Sequence, residues 1–368
     1  MPDLRATIAA MPKIELHRHL EGSIRLTTLA EVAEQYALDV PSNRAELLRP
    51  YVQVMPGAPR TADHFLSKFA VLRGFYCAPE VVYRAAREAV EDAAADNIRY
   101  MELRFTPKAL GRAGGFTFPD VVTWVCDGVR DGMAGRSIEV RLIVAVNRHE
   151  SLSDAEESIQ AALDQQQRGI VAVDLCGQER GFPAAPFRNL FREARRAGMF
   201  VSLHGGEWDG AHNIRYAIEA MGARRIGHGV RIFEDELTVA LAAEMGVVFE
   251  VCPTSNIQSG VVPSLKDHPI QRMMAAGLRV TLNTDDPAIC DVTLSEEYYR
   301  TAIAHGWTLD VLQSLTQTAA EAAFLPEMER AALIERIQIA SQQSDHVIAD
   351  EGGNLAPSAD RGIPEHTD

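Results

Sequence analysis

Apolar residues in this chain gather in short continuous runs, which are separated by longer segments with helical periodicity. The runs do not alternate apolar with polar residues, as the strands of a half-exposed sheet would. They therefore predict strands that are buried on both faces, as in a parallel sheet. Eight such runs are present: Lys13–Leu16, Ile98–Phe105, Val140–Val146, Ile170–Leu175, Phe200–Leu203, Arg225–Ile226, Val247–Val251 and Arg279–Leu282.

Helices are predicted between these strands. The segment Ser153-Asp154-Ala155-Glu156 matches a capping box and predicts a helix that runs to about Arg168. Three other predicted helices end in Gly198, Gly246 or Gly277 immediately before a strand, where glycine can supply a left-handed C-cap. These three cover Pro186–Ala197, Glu234–Met245 and Pro269–Ala276, and two further helices are predicted over Pro79–Asn97 and Asn213–Met221.

Strand–helix alternation predicts an α/β fold, and eight units fit a closed (β/α)8 TIM-type barrel. An open doubly wound sheet is the alternative, but it favours a glycine-rich phosphate loop after the first strand, and none is present. Residues 25–76 are too many for an ordinary loop, so we predict a helical lid insertion there. Additional C-terminal helices are expected between Leu309 and Ile339. The domain then covers residues 1–343, followed by a disordered tail over 344–368.

Composition excludes several classes of partner. The 368 residues carry 36 Lys and Arg against 51 Asp and Glu, a net charge of −15. A surface this acidic repels phosphate backbones, so we expect no nucleic-acid partner. No apolar run is long enough to span a bilayer or to serve as a signal peptide, which predicts no membrane partner and a cytoplasmic location. The five cysteines are scattered without a C-x-x-C pair, so we expect reduced thiols.

Imidazoles and carboxylates follow four of the predicted strands, as His17 and His19, His204, His228, and Asp285 with Asp286. A single His or Asp at a strand end is more often a cap or a turn residue. Here the shared position favours a common site, because the carboxyl ends of all barrel strands open on one mouth. Residues two apart on a strand point to the same face, so His17 and His19 are expected to converge.

Three imidazoles and one aspartate form a suitable metal site. His17, His19 and His204 offer nitrogen ligands, and solvent completes the shell. This ligand chemistry suits one Zn²⁺ ion, with iron, cobalt or manganese as alternatives. Zinc lowers the pKa of bound water to about 7. If Asp285 is the carboxylate ligand, Asp286 is free to contact a substrate.

Glu207 lies three residues after His204 and is a candidate general acid. A carboxyl group in an apolar pocket can stay protonated at neutral pH. The alternative is that Glu207 only caps the next helix, because acidic residues favour helix N-termini. His228 is then placed to hold the attacking water and to assist its deprotonation.

The sequence resembles the adenosine deaminase family of the amidohydrolase superfamily. Six motifs carry the resemblance, in family order from residue 12 to about residue 339: Pro12-Lys13-Ile14-Glu15-Leu16-His17-Arg18-His19-Leu20-Glu21-Gly22-Ser23, Leu203-His204-Gly205-Gly206-Glu207, Arg225-Ile226-Gly227-His228-Gly229, Cys252-Pro253-Thr254-Ser255-Asn256, Leu282-Asn283-Thr284-Asp285-Asp286-Pro287 and Phe324-Leu325-Pro326-Glu327. Several independent motifs in one order are far more specific than any one of them.

The resemblance implies a zinc hydrolase that removes the 6-amino group of a purine nucleoside as ammonia, with adenosine or 2′-deoxyadenosine as substrate. It implies that Glu207 protonates purine N1 and that His228 orients and deprotonates the water that attacks C6. The implied zinc ligands are His17, His19, His204 and Asp285. The implied substrate contacts are His19, Glu21, Asp286 at N7 and the Gly177 N–H at N3.

Two positions bear on the substrate. Many family members have Asp where Glu21 stands at the 5′ end of the sugar, which leaves aminodeoxyfutalosine or an N6-substituted adenosine as alternatives. Adenine deaminases of the family tend to have Asp where Gly227 stands, so Gly227 favours a nucleoside over adenine.

Two further alternatives are weaker. The other class of zinc deaminase needs a P-C-x-x-C motif, and the chain has none. A catalytically silent nucleoside-binding barrel would have lost a ligand or Glu207, and every candidate position is intact. A purine nucleoside is therefore the expected partner, and the oligomeric state does not follow from the sequence.

Overall fold

The computed structural model describes residues 3–351, with side chains through residue 342. Its eight parallel strands lie side by side in sequence order. They are β1 Lys13–His19, β2 Ile98–Phe105, β3 Glu139–Asn147, β4 Ile170–Cys176, β5 Phe200–Gly205, β6 Arg225–His228, β7 Val248–Val251 and β8 Arg279–Leu282. An isolated parallel bridge between Arg18 and Asp285 joins the β8 end to β1. The sheet thus forms a nearly closed barrel, and the predicted (β/α)8 fold class is confirmed.

Helices surround the barrel and fill the insertion after β1. Four α-helices lie between β1 and β2, so the helical insertion is confirmed. The helices are α1 Leu4–Ala10, α2 Leu26–Gln35, α3 Ala45–Val52, α4 Ala62–Leu72, α5 Pro79–Ala95, α6 Pro107–Gly111, α7 Phe118–Met133, α8 Leu152–Asp164, α9 Arg188–Arg196, α10 Ala211–Tyr216, α11 Glu236–Glu244, α12 Pro253–Gln258, α13 Ile270–Ala275, α14 Pro287–Cys290, α15 Leu294–His305, α16 Leu309–Ala322 and α17 Glu327–Glu351.

The strands that carry candidate site residues extend further than their apolar runs predict. Strand β1 continues through His19, β5 through Gly205 and β6 through His228. Polar side chains at the carboxyl ends hide these last residues from a pattern based on apolar runs. The pairing of β1 with β2 also shifts register between Glu15 and Arg18. Such irregularities re-aim side chains next to functional sites, and this one lies beside His17.

Charged residues fill the barrel below its mouth. We call Glu102, Arg104, Asp174, Arg225 and Glu250 the interior ion network; the side chain of each is at most 1% exposed. Arg104 donates to Asp174 at 2.8 Å and to Glu250 at 2.6 Å. Arg225 lies 2.6 Å from Glu250 Oε1 and also donates to Glu102. Each carboxylate therefore has a guanidinium partner, as buried charges require.

An aromatic side chain closes the amino end of the barrel. Phe324 stacks on Phe200 with ring centroids 4.8 Å apart, and the Arg225 guanidinium lies 3.5 Å from the Phe324 ring. The Phe324 N–H donates to Glu102 at 2.7 Å. The Phe-Leu-Pro-Glu motif is therefore structural, because it seals the end opposite to the mouth.

Helix ends partly follow the predictions. Gly198, Gly246 and Gly277 have left-handed φ angles of 95°, 61° and 76°, as predicted for C-caps. The predicted capping box is wrong by two residues, because Ser151 accepts from the Asp154 N–H and Leu152 begins the helix.

The domain boundary at residue 343 and the disordered tail over 344–368 stay predictions. Helix α17 continues to Glu351, past the boundary expected at residue 343. The rest of the predicted tail, residues 352–368, lies outside the described residues. Within residues 3–351, no helix has the length and apolarity needed to cross a bilayer. All five cysteines are unpaired, and four are buried. The cytoplasmic location stays a prediction.

Candidate active site

The predicted site residues converge at the carboxyl end of the barrel. His17 Nε2 and His19 Nε2 lie 3.1 and 3.3 Å from Asp285 Oδ1. His19 Nε2 and His204 Nε2 are 3.2 Å apart. His228 joins the cluster, since ligand atoms of His17, His204, His228 and Asp285 all lie within 4.8 Å of one another. Five candidate ligands thus surround one small volume, where a site needs only three or four.

This donor set fits a divalent cation. Burial lowers the pKa of His19 and of His204, so these imidazoles are neutral, as metal ligation requires. His17 Nε2 is buried, and although it lies 3.1 Å from Asp285 Oδ1 it forms no well-aligned hydrogen bond with the described residues. Two nitrogens that face each other at 3.2 Å, as those of His19 and His204 do, also suit a shared cation.

Carboxylates behind the cluster orient two of the imidazoles. His17 Nδ1 lies 2.7 Å from Glu250 Oε2, and His204 Nδ1 lies 3.0 Å from Asp174 Oδ2. A carboxylate at Nδ1 holds the proton there and leaves Nε2 free to bind a metal. The interior ion network thus reaches the site, because Glu250 and Asp174 belong to both.

Two site residues have backbone conformations that are uncommon outside glycine. His228 and Asp285 have φ angles of 63° and 64°. The left-handed turn at Asp285 breaks strand alternation, so both Asp285 and Asp286 line the same cavity. Ser255 donates to Asp285 Oδ2 at 2.7 Å and holds the turned carboxylate in place.

Glu207 has the environment of an acid. Its side chain is 6% exposed, and Oε2 lies 3.5 Å from His228 Nε2. Burial, together with the charges of Asp285 and Glu179, raises the pKa of Glu207 well above its usual value. The raised pKa favours the protonated form, in which the carboxyl group is able to donate its proton.

Glu179 organises the loop that carries Glu207, and sequence reasoning missed it. The buried Glu179 carboxylate accepts four consecutive backbone N–H groups, those of Gly206, Glu207, Trp208 and Asp209, at 2.7, 3.0, 2.9 and 3.0 Å. In sequence it is one acidic residue in a loop after β4, 28 positions before Glu207, and no local signal marks it.

A cavity of about 220 Å³ opens beside the cluster and has the size for one compact ligand. Glu21 Oε1 accepts from the Thr106 N–H at 2.7 Å, while Glu21 Oε2 has no partner among the described residues. Gly177 also lines this cavity. The insertion contributes part of the wall, through Phe65, Leu66, Phe69, Ala70 and Arg73.

The structure gives Gly227 a different role from the one expected. A Cβ atom at this position would lie 2.8 Å from His17 Cε1 and 3.2 Å from His204 Cγ. Glycine is therefore favoured by the packing of the two imidazoles, and the preference for a nucleoside over a free base stays a prediction.

A family model described as adenosine deaminase matches residues 12–340. The chain belongs to the adenosine deaminase family. An adenosine deaminase of Erwinia tasmaniensis is 37% identical over 330 residues, which cover 89% of this chain and 98% of that protein. As a member of this family, the chain is a deaminase that acts on a C–N bond.

Solved structures of two other deaminases share the fold. An adenine deaminase from Arthrobacter aurescens has a TM-score of 0.82 at 26% identity, with 89% of this chain and 98% of that chain covered. The N6-methyl-AMP deaminase of Arabidopsis thaliana has a TM-score of 0.81 at 27% identity, with 92% and 99% covered. These deaminases have different substrates although they share a fold, so the residues that line the cavity, and not the fold, determine which substrate is bound.

Proposed function

We propose that this protein catalyses the hydrolytic deamination of a 6-aminopurine nucleoside, most directly adenosine or 2′-deoxyadenosine, to the 6-oxopurine nucleoside and ammonia. The observation that carries the proposal is the placement of Glu207 beside His228 and Asp285. A protonated carboxyl group, an imidazole and a carboxylate face one cavity within 3.5 to 3.9 Å of the imidazole nitrogen. The adenosine deaminase relative at 37% identity supports the same substrate.

The proposed metal is one Zn²⁺ ion per chain, held by His17, His19, His204 and Asp285. A bound zinc ion supplies polarised water whose pKa is lowered to about 7. Metal analysis of the purified protein tests this assignment, and the expected result is one equivalent of zinc. A His17→Ala variant should lose that equivalent.

The chain's own residues supply the remaining chemistry. Glu207 donates its proton to purine N1, which makes C6 a better electrophile. His228 orients the water that attacks C6. Asp286 has a buried Oδ1 atom with no partner among the described residues, and we assign it to the N7 side of the ring. The Gly177 N–H is assigned to N3.

A nucleoside panel tests the proposal. Loss of absorbance at about 265 nm and release of ammonia should be seen with adenosine and 2′-deoxyadenosine, and more weakly with adenine. Failure to turn over any 6-aminopurine by zinc-loaded protein would refute the proposal. If only N6-substituted adenosines are turned over, the proposed substrate is wrong and the proposed deamination reaction is still correct.

One observation favours a second candidate substrate, a 6-aminopurine nucleoside with an anionic group at its 5′ end. Arg73 lines the cavity, and its guanidinium forms no hydrogen bond or ion pair with residues 3–342. Two other arginines of the insertion form ion pairs, Arg25 with Asp92 at 2.6 Å and Arg49 with Glu46 at 3.3 Å. A half-buried, unpaired guanidinium is well suited to bind a phosphate or a carboxylate.

The same panel distinguishes this candidate. AMP represents a 5′-phosphate, and aminodeoxyfutalosine represents a 5′ substituent that ends in a carboxylate. If Arg73 binds the anion, Arg73→Met should raise KM for that substrate about tenfold and leave KM for adenosine unchanged. Arg60→Met is the matched control, because Arg60 lies in the same insertion but donates to the Pro263 carbonyl, at 3.0 Å.

A further inference from the structure

A chain of hydrogen bonds leads from a backbone amide to His228. The Ile270 N–H donates to His268 Nδ1 at 3.1 Å. His268 Nε2 lies 3.3 Å from Asn256 Oδ1, and Asn256 Nδ2 lies 3.1 Å from His228 Nδ1. His268, Asn256 and His228 are at most 3% exposed, so solvent does not compete for these contacts.

The direction of every bond in this chain follows from its first member. A backbone N–H can only donate, so His268 Nδ1 accepts and the His268 proton lies on Nε2. Burial lowers the pKa of His268 to about 3, so the ring is neutral and has one proton. That proton is donated to Asn256 Oδ1, which leaves the Asn256 amide to donate to His228 Nδ1. The opposite amide orientation would set two donors against each other.

We infer that His268 and Asn256 are positioning residues that hold His228 in the tautomer with its proton on Nε2, so that this atom donates a hydrogen bond into the catalytic cavity. The inference rests on the proposed deamination and extends it. In this role the Nε2–H group of neutral His228 donates a hydrogen bond that orients the attacking water. His228 is then not the base that first removes a proton from that water.

The contrast with the other imidazoles supports this assignment. His17 and His204 have carboxylates at Nδ1, which hold the proton away from the cavity. His228 has an amide at Nδ1, which holds the proton toward the cavity. The histidines of the site therefore differ at Nε2. In His17 and His204 this atom is free to bind a metal, whereas in His228 it has a proton and donates a hydrogen bond. His228 Nε2 accordingly faces carboxyl oxygens, with Glu207 Oε2 at 3.5 Å and Asp285 Oδ2 at 3.9 Å.

Nitrogen NMR of the intact zinc-loaded protein tests the tautomer without reference to activity. Histidine labelled with ¹⁵N gives two-bond correlations that distinguish a protonated Nδ1 from a protonated Nε2, and a His228→Gln spectrum identifies the His228 signals. We expect a proton on Nε2 in the unaltered protein. A proton on Nδ1 would overturn the inference, whatever the substrate of the enzyme.

Substitution of Asn256 tests the consequence. An Asn256→Asp carboxylate accepts from His228 Nδ1 and should move the proton there, which removes the donor at Nε2. Loss of the correct tautomer reduces turnover strongly in other histidine-dependent enzymes, so we expect kcat to fall about 100-fold or more. KM should change less than threefold. An unchanged kcat together with a proton still on Nε2 would refute the inference.

Variants of His268 keep the test valid if Asn256→Asp does not fold. His268→Gln can still donate to Asn256 Oδ1, whereas His268→Leu cannot. We expect the Gln variant to retain kcat within about fivefold and the Leu variant to lose about tenfold or more. Equal kcat values for the two variants would contradict the assignment. The matched control is His305→Gln, near His268 but outside the chain of hydrogen bonds, which should leave kcat unchanged.

Failure of the inference and failure of the proposed function give different results. If the unaltered protein deaminates no nucleoside, the proposed function is wrong, and the NMR measurement still decides the tautomer. If it deaminates adenosine but His268→Gln and His268→Leu have equal kcat values, only the positioning role is wrong.

Discussion

The barrel interior and the barrel mouth are both rich in buried charge, but they arrange it differently. In the interior ion network each carboxylate contacts a guanidinium, within 2.8 Å where Arg104 is the partner. At the mouth, Glu207, Asp285 and Asp286 are buried together, and no Lys or Arg among residues 3–342 forms an ion pair with them. Unpaired buried carboxyl groups cost stability, so a fold keeps them where they serve a ligand or a reaction.

The difference also separates two kinds of pKa behaviour. Burial raises the pKa of Glu207 and of Asp286, and neighbouring carboxylates add to the effect. Burial acts on Glu250 in the same direction, but Arg104 and Arg225 outweigh it and hold the pKa of Glu250 below its usual range. Partner charge, and not depth, therefore decides whether a buried carboxyl group in this barrel can act as an acid.

The largest expected effect comes from removing the acid at the mouth. Glu207→Gln keeps the shape of the side chain but cannot protonate the purine, so we expect kcat to fall about 10²–10⁴-fold. Stopped assays of adenosine deamination measure the loss. Zinc content and melting temperature should stay unchanged. Turnover within a few-fold of the unaltered enzyme would show that Glu207 only caps its loop.

Breaking the interior ion network should affect stability instead. Arg104→Met leaves Asp174 without a guanidinium partner and Glu250 with one fewer, and it should lower the free energy of unfolding by about 3–5 kcal/mol. Urea unfolding followed by circular dichroism measures the change.

Arg141→Met is the matched control for that experiment. Arg141 also lies on a barrel strand, but its partner Glu329, at 2.8 Å, has a side chain that is 51% exposed. Exposed ion pairs contribute little, so the control should lose less than about 1 kcal/mol. Equal losses for the two variants would remove the distinction between buried and exposed pairs.

Glu297 tests, at a position away from the mouth, whether a buried carboxyl group without a basic partner has a raised pKa. This buried residue of α15 accepts from the Thr254 N–H at 2.8 Å, and its Oε2 atom has no partner among the described residues. Burial raises the pKa of Glu297 from 4.5 to about 7. Between these values the unfolded chain releases a proton that the folded chain keeps, so stability falls as pH rises from about 4.5 to about 7.

The expected loss from Glu297 is about 3 kcal/mol, because one pKa unit corresponds to about 1.4 kcal/mol. Glu297→Gln keeps the acceptor for Thr254 and has no proton to release. The variant should therefore gain stability relative to the unaltered protein as pH rises from 5 to 8, in urea titrations at both values. Parallel pH profiles for the two proteins would be the contrary result.

The smallest predicted effect concerns the loop that carries Glu207. Glu179→Gln replaces one of two acceptor oxygens with an amide donor, so some of the four N–H groups lose their partner. Hydrogen bonds to a charged group contribute about 1.5–3 kcal/mol, so kcat should fall about 10–100-fold. Zinc content should be unaffected, since Glu179 contacts no proposed ligand side chain. A loss of zinc would instead place Glu179 among the residues that build the metal site.

Sequence reasoning predicted the barrel architecture, which is confirmed, and the side chains that the structure brings together at its mouth. The apolar runs determined the parallel strands, because a strand covered on both faces must be apolar throughout most of its length. The barrel topology then placed His17, His204, His228 and Asp285 at one mouth without any knowledge of distances. Glycines before strands located three helix ends for an equally local reason.

Only the tertiary structure decided what lies behind those residues. The partners of His17 and His204 come from strands far away in sequence, and charged members of apolar runs, such as Arg104, give no sign of pairing until the barrel closes. The same holds for Glu179, whose role depends on a neighbouring loop, and for Gly227, which packs closely against two imidazoles. Composition and periodicity report local preference, whereas the protonation state of a buried group depends on which charges the fold brings within a few ångströms of it.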